Sequence, residues 1–323
     1  MNFLAVVRAT RGLCAIFALC AFGAQAQPFP NKPVRLEVAF APGGPADIIA
    51  RLINQKLSEA LGQPVLVENR PGAGGAVAAR QLATSGSDGH TVLITTTAFA
   101  VTPSLSRPAG FDIEKDFAPV SLIATQPSVL VAYPGLNLNT LAEVMAAAKG
   151  GKLNFGTAGA GTTPHLAGEY LFRVLGKVDV THVPYNGGGP ALQAVVGGNV
   201  ELVNVALSPA IPLIKGGKLR AIAVTSPKRA AALPEVPAVA ETYPGFEDYT
   251  WVAALMPAAT PAATVNRLSE EIDKLLKTPE MRERLAAIAF EPVGGTPAQF
   301  ARSLKADATR LSRFVRETGL KIE

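Results

Sequence analysis

The chain has 323 residues, with 30 Lys and Arg against 25 Asp and Glu and a formal net charge of +5. It is 48% apolar and only 17% charged, which excludes a disordered chain, and its length favours two compact units over one. No Lys/Arg cluster gives a footprint for nucleic acid, and two Cys make neither a disulfide scaffold nor a thiolate metal site.

Arg8 and Arg11 precede a short apolar run over residues 13–24, and Ala24-Gln25-Ala26 offers small residues where a signal peptidase reads. The run is shorter than the about 20 residues that span a bilayer. Residues 1–26 therefore read as a cleaved secretory signal rather than a first buried element. Cys14 and Cys20 each follow a Leu, which does not suit a lipid anchor. Both leave with the signal, so the exported chain has no Cys and belongs in an oxidising compartment, the bacterial periplasm.

Residues 34–40 alternate like a strand. A helical pattern follows APGGPAD, with Ile49, Leu52, Ile53, Leu57, Ala60 and Leu61 on one face and Gly62 as its stop. Residues 64–68 and 91–95 read as further strands around a small-residue helix, the rhythm of a parallel, doubly wound sheet. That rhythm restarts after Pro134. Thr140 and Glu143 form a capping box, and strands are expected at 153–156, 180–183, 200–205 and 219–225. From Pro261 onward the chain is helical, with Val265, Leu268, Ile272, Leu275 and Leu276 on one face and Phe300, Leu304, Leu311 and Val315 on another. Such a tail has no sheet of its own and must pack on the first unit. The expected division is 27–125 plus 250–323 for one lobe and 126–249 for the other, with a cleft between them.

Three turns share a pattern. Gly43-Gly44-Pro45, Thr162-Thr163-Pro164 and Gly188-Gly189-Pro190 each follow an expected strand and open a helix. Pro suits the first helical position, and Gly or Thr the cap before it. The amides of Ala46, Asp47, His165, Leu166, Ala191 and Leu192 are expected to start without intrahelical partners, and helix N-termini attract anions. Taken singly, each is an ordinary strand-to-helix turn. Together they fit an anion site equally well, and the residues alone leave both readings open. Asp47 complicates the anion reading, because its charge opposes a nearby anion and it can cap its own helix.

Nucleophile-elbow, zinc-protease and P-loop signatures are absent, and residues 72–77 lack the third Gly of a dinucleotide loop. His90, His165 and His182 sit on separate elements, with no close pair to begin a metal site. His90 reads as a solvated loop residue, His182 as a hydrogen-bonded core residue, and His165 as a ligand contact. Arg51, Arg70 and Arg80 read as surface-paired, so backbone amides and hydroxyls, rather than a guanidinium, would hold a bound acid.

Several stretches carry a family resemblance: AFAPGGPADIIAR (39–51), GQPVLVENRPGAGG (62–75), DGHTVLITT (88–96), DFAPVSLIA (116–124), GTAGAGTTPHLAGE (156–169), THVPYNGGGPAL (181–192), IKGGKLRAIAVTS (214–226) and FEPVGGTPAQF (290–300). The chain resembles the Bug family of periplasmic solute-binding proteins, which includes the receptors of tripartite tricarboxylate transporters. The resemblance implies an α/β, two-lobed type II periplasmic-binding-protein fold with a discontinuous first lobe completed by C-terminal helices. It also implies that a carboxylate is held between Pro42, Gly43, Gly44, Pro45, Ala46 and Asp47 on one side and Gly161, Thr162, Thr163 and His165 on the other. Thr96, Thr97, Ala98 and Phe99, with Asn186, Gly187 and Gly188, would complete the pocket, and ordered waters would reach the far end of the ligand.

Two departures narrow the ligand. Many members carry an acidic residue where this chain has Val205, which disfavours a ligand amine. Phe99 stands where small polar residues are usual, and it either offers a stacking face to an aromatic or long aliphatic acid or belongs to the core. The resulting expectation is a monomeric, non-catalytic receptor for a di-, tri- or aromatic carboxylate, without metal or cofactor. It would deliver its ligand to transporter membrane subunits. The alternatives are a sensor feeding a signalling partner, or a periplasmic enzyme using His165 or Asp47 as acid–base groups.

Overall fold

The computed structural model describes residues 29–105, 110–151 and 153–318. The signal-peptide reading lies outside them. Strand β1 (Val34–Val38) leads into helix α1 (Pro45–Leu61), which buries Ile49, Ile53 and Leu57 and ends at Gly62 in the left-handed conformation, φ 68°. Strand β2 (Val65–Asn69), helix α2 (Ala76–Ala83), strand β3 (Thr91–Thr96) and helix α3 (Ala98–Leu105) follow. Strand β4 (Phe117–Ala132) is 16 residues long. Helix α4 (Leu141–Ala148) opens on the expected capping box: the Glu143 amide donates to Thr140 Oγ1, and the Thr140 amide to Glu143 Oε2.

Next come β5 (Asn154–Thr157), α5 (Thr163–Glu169) with a single π turn over Tyr170–Leu175, β6 (Thr181–Pro184) and α6 (Gly188–Val196). Strand β7 (Leu202–Ala206), α7 (Leu207–Lys215) and β8 (Arg220–Val224) complete that stretch. The chain then returns through β9 (Tyr249–Pro257) to α8 (Ala262–Lys277), α9 (Pro279–Ala287), β10 (Glu291–Pro292) and α10 (Pro297–Thr318).

The strands run in the order β2-β1-β3-β9-β4-β7-β5-β6, with β10 and β8 also paired to β4. The sheet is mixed, which corrects the expectation of a parallel one. Pairs β1–β2, β1–β3, β5–β6 and β5–β7 are parallel, while β9 and β4 join them antiparallel. The physical reason is the route of the chain. Strands β4 and β9 are the crossing segments, and a crossing that runs out and back must oppose its neighbours.

Strand β4 is the element that residue patterning overlooked, since Pro119 and Pro127 break up its run. Its first part pairs with β9 as far as Pro127, and from Ser128 it pairs with β7 and β8, so one strand serves both halves of the sheet. Two bulges against β9 let the strand bend between them.

The apolar cores divide the same way. One cluster gathers Val38, Ile49, Ile94 and Leu255 with Leu268, Ile272, Phe300 and Leu304, so the C-terminal helices cover the first half. Two further clusters on either side of the second half are built from Phe155, Phe172 and Leu202, and from Val129, Val195 and Val205. Trp251 anchors α10, packing edge-on against Phe300 and donating from Nε1 to Asp307 at 2.9 Å. No helix among the described residues is long and apolar enough to cross a membrane.

Candidate functional site

All three patterned turns lie at the carboxyl ends of strands, but they start their helices differently. In the first, Gly44 is the cap and Pro45 the first helical residue. In the second, Thr162 is the cap and Pro164 comes second; in the third, the helix already begins at Gly188, so Pro190 comes third. This shifts the set of free amides. The first intrahelical bonds are Ile48 N–H to Gly44 O, Leu166 N–H to Thr162 O and Ala191 N–H to Gly187 O. Ala46, Asp47, Thr163, His165, Gly188 and Gly189 therefore precede the helical ladder, whereas the expected amides of Leu166, Ala191 and Leu192 do not.

Asp47 is buried and turned back on its own loop. Its carboxylate accepts from the Gly43 amide at 3.0 Å, from Asn69 Nδ2 at 2.8 Å and from Arg51 Nε at 3.0 Å. Burial alone would push its pKa up, but the bonds from Arg51, Gly43 and Asn69 outweigh it and hold the carboxyl below its ordinary value. Its charge is thus neutralised within the turn and does not face an incoming anion. Gly43, at φ 82°, takes a conformation that side-chain-bearing residues rarely adopt, and this brings its N–H round to Asp47. Asp47→Asn keeps the shape and removes the buried charge that the half-exposed Arg51 pairs with. The expected cost is about 1–2 kcal/mol, read as a melting temperature lower by a few degrees; no change would mean that Arg51 and Asn69 do not hold the turn.

Turns from the two halves touch. The Ala41 amide donates to Asn186 O at 3.3 Å. A Cβ on Gly189 would lie 2.6 Å from Pro42 O, and one on Gly187 would lie 3.2 Å from Ala41 N. The glycine-rich loop after β2 reaches across in the same way, for a Cβ on Gly74 would lie 2.7 Å from Ala160 O. Pro42, Gly43, Gly44 and Pro45 are thereby brought to Asn186, Gly187 and Gly188. Backbone approaches backbone here because side chains are missing.

The second turn is held by its own groups. Gly161 N–H donates to His165 Nδ1 at 3.1 Å, Thr162 Oγ1 donates to Gly159 O, and Thr163 Oγ1 bonds Thr250 Oγ1 at 2.7 Å. Since Nδ1 accepts, the proton of neutral His165 sits on Nε2, which lies 3.8 Å from the buried Glu169. Burial, and secondarily the charge of Arg173, pulls the His165 pKa down to about 4. His165 stacks on His182 with ring centroids 3.9 Å apart, so the two histidines read as separate are a contacting pair. His182 bonds Thr157 Oγ1 at 2.7 Å, as expected of a core histidine. His90 is also buried rather than solvated, because Phe29 covers its edge and the Asn31 amide donates to its Nε2.

At the end of β3, Thr96 Oγ1 accepts from the Ala98 amide, and Thr97 Oγ1 accepts from Trp251 N–H at 2.9 Å. Phe99 is 2% exposed, stacked on Phe111 and edge-on to Phe117, so it belongs to the core and offers no stacking face. Val205 is wholly buried in an apolar cluster beside Val129, because its position in β7 points it away from the face that carries Asn204. Arg51 and Arg70 are paired with Asp47 and with Glu37, the latter at 2.6 Å.

Residue patterning overlooked a buried polar group where β4 crosses between the halves. Gln126 pairs in the sheet with Thr250, and its Oε1 accepts from the Ser208 amide at 2.6 Å. Asn204 Nδ2 donates to Pro164 O at 2.7 Å. Gln126 Nε2, Ser208 Oγ and Asn204 Oδ1 are buried without a partner. The available signal was one amide inside each of two apolar runs, Gln126 in residues 117–132 and Asn204 in 202–206.

Comparison with known proteins gives the family and the fold. The family model for the tripartite tricarboxylate transporter family receptor matches residues 49–320. Protein BugT of Bordetella pertussis is 34% identical over 303 residues, covering 92% of this chain and 93% of BugT. Rpa4515 of R. palustris, solved with adipate, superposes with a TM-score of 0.87 at 33% identity, over 91% of this chain and 99% of that one. MatC from Rhodopseudomonas palustris, solved with bound malate, gives 0.84 at 32% identity, over 89% and 100% of the two chains. The chain belongs to the Bug and tripartite tricarboxylate transporter receptor family, with the two-lobed α/β fold of solute-binding proteins.

Proposed function

We propose that this protein is a periplasmic receptor that captures a small organic acid between two lobes, 27–125 with 250–323 and 126–249, and delivers it to membrane subunits of a transporter. The observation that carries the proposal is the meeting of glycine turns from the two halves around helix starts whose amides precede the helical ladder. Asp47 is neutralised in its own loop, so these helix starts offer a carboxylate N–H donors and a favourable dipole end. The first carboxylate is assigned to the starts of α1 and α5, around Pro42, Gly43, Gly44, Pro45, Ala46, Asp47, Gly161, Thr162, Thr163 and His165. Thr96, Thr97, Ala98, Asn186, Gly187 and Gly188 flank it. That R. palustris relatives were solved with adipate and with malate supports an acid as the ligand class. Non-catalytic capture fits the acid–base groups as they stand, since Asp47 is tied into its turn and His165 is kept neutral by burial.

Thermal unfolding against di- and tricarboxylates, aromatic acids, amino acids and neutral sugars tests the reading. A ligand at a hundred times its Kd stabilises by about 2.7 kcal/mol, a rise of at least a few degrees in a chain of this size. The expected result is a shift confined to carboxylates, with the ligand recovered unchanged. A shift with sugars alone, or consumption of the acid, overturns the proposal.

A further inference from the structure

Two segments carry the chain between the halves, β4 at Pro127 and Ser128 and the run into β9 at Asp248 and Tyr249. Hydrogen bonds tie them into one pivot. Ser128 Oγ donates to Asp248 Oδ2 at 2.9 Å, and Thr225 Oγ1 accepts from the Ser128 amide at 2.7 Å and donates to Asp248 O at 2.8 Å. Successive residues of a strand face opposite ways. Gln126 and Thr250, paired across β4 and β9, face the cleft side, where Thr250 bonds Thr163 of the second turn and Gln126 bonds the Ser208 amide. Pro127 and Tyr249, the next pair, therefore face away from the cleft.

On that far side Pro127 and Tyr249 floor a groove of about 530 Å³. One wall is residues 226–232, which follow β8 in the second half. The other is Ala286, at the end of α9, with residues 289–291 of the first half. Five alanines, at 230, 231, 232, 286 and 289, keep the walls low and the groove open. Ala289 holds a φ of 58°, uncommon for a residue with a side chain, and packs against the second half's cluster of Val129 and Val224. Arg229 spends its hydrogen bonds on Glu241, Pro234 and Glu235 of its own half, so it does not tie the walls together.

A rotation about the pivot that opens one face of the crossing segments narrows the other. In this structure the turns meet across the cleft, so the groove behind it stands at its widest. We infer that the groove is a second surface that sets the receptor's affinity. Parting the lobes to release the acid narrows it, so side chains that fill it disfavour the open form and tighten binding without touching the ligand. A ligand held by the closed form binds in proportion to the fraction of receptor that is closed. The inference rests on the proposed carboxylate receptor and adds residues remote from its cleft that tune it.

Ala286→Trp and Ala231→Trp fill the groove from opposite walls, and both positions are exposed, so neither disturbs a core. Ala287→Trp, exposed on the same helix but outside the groove, is the control. Calorimetric titration with adipate, malate, citrate and benzoate, beside small-angle scattering of the unliganded proteins, tests the inference. Each groove variant should bind the best of these acids at least threefold tighter than wild type and have a smaller unliganded radius of gyration. Ala287→Trp should change neither. Either groove variant carries the comparison if the other does not fold. Unchanged or weaker binding in the groove variants, or an equal change in the control, overturns the inference while leaving acid capture standing. A wild type that binds no carboxylate overturns the receptor reading instead, and scattering then decides the groove by itself, since no compaction overturns its coupling to the cleft.

Discussion

Gly189→Ala should weaken carboxylate binding about a hundredfold, equivalent to about 2.7 kcal/mol, while leaving the unliganded protein as stable as before or slightly more so. Gly189 is the second residue of α6 and has no positive φ, so alanine fits its backbone and is a better helix former by about 0.5–1 kcal/mol. The obstacle lies across the cleft, where the new Cβ would stand 2.6 Å from Pro42 O, closer than such atoms approach. That oxygen belongs to a backbone turn held by Asp47, so it cannot swing aside as the end of a flexible side chain can. If the lobes must meet to hold the acid, the added methyl group keeps them apart. Thermal unfolding without ligand and calorimetric titration with it separate the two effects. Gly86→Ala, whose Cβ would meet no atom within 4 Å and whose φ is not positive, serves as the control for calorimetry. Affinity unchanged in Gly189→Ala would mean that ligand is bound without contact between these turns.

Acidification should destabilise the protein between about pH 6.5 and 4 through the stacked pair of His165 and His182. Burial holds both rings neutral, His165 down to about 4 and His182 to about 3, the latter helped by the nearness of His165 and Arg173. Unfolded, each would take up a proton near pH 6.5. The folded state binds fewer protons in this window, so its stability is full above about pH 6.5 and falls as pH drops toward 4. The rings touch, so they titrate as a pair.

Asp248 works the other way. Burial raises its carboxyl to about 6 despite the hydrogen bond from Ser128, so it holds a proton in the fold and gains relative stability as pH falls from 6 toward 4. The two histidines lose on the order of 5 kcal/mol by pH 4.5 and Asp248 returns about 2, leaving a net loss on the order of 3 kcal/mol. At a few degrees per kcal/mol the melting temperature should fall by roughly 6 °C or more. His182→Gln, which cannot take up a proton, removes about half of the histidine loss and, with Asp248 still returning about 2 kcal/mol, should leave the profile nearly flat. A melting temperature constant from pH 7 to 4.5 would show that the pair is not kept neutral in the fold.

Much of this architecture follows from local rules that act within a few residues. The amphipathic run that ends at Gly62, the Thr140–Glu143 capping box, the strand ahead of each glycine or threonine turn and the C-terminal helices were all legible, since each depends on its own periodicity and caps. The quoted family stretches likewise carried the family and the two-lobed fold. Strand β4 was not legible, because prolines that argue against a strand are tolerated where it bends between two partners. Nor was the mixed sense of the sheet, which the return of β9 beside β4 decides.

The cleft divides in the same way. The three turns were readable from residue types at fixed spacing. Which amides stand free, and that Asp47 spends its charge on Gly43, Asn69 and Arg51, depend on where each helix starts. The pairing of His165 with His182, the turn of Phe99 and Val205 into apolar cores, and the junction of Gln126 with Ser208 join residues 17 to 82 positions apart or bury them against distant strands. Local periodicity, capping and short motifs are enough to specify the helices, the turns and the family. Which polar groups meet and which stay unpaired depends instead on strands brought together from separate parts of the chain.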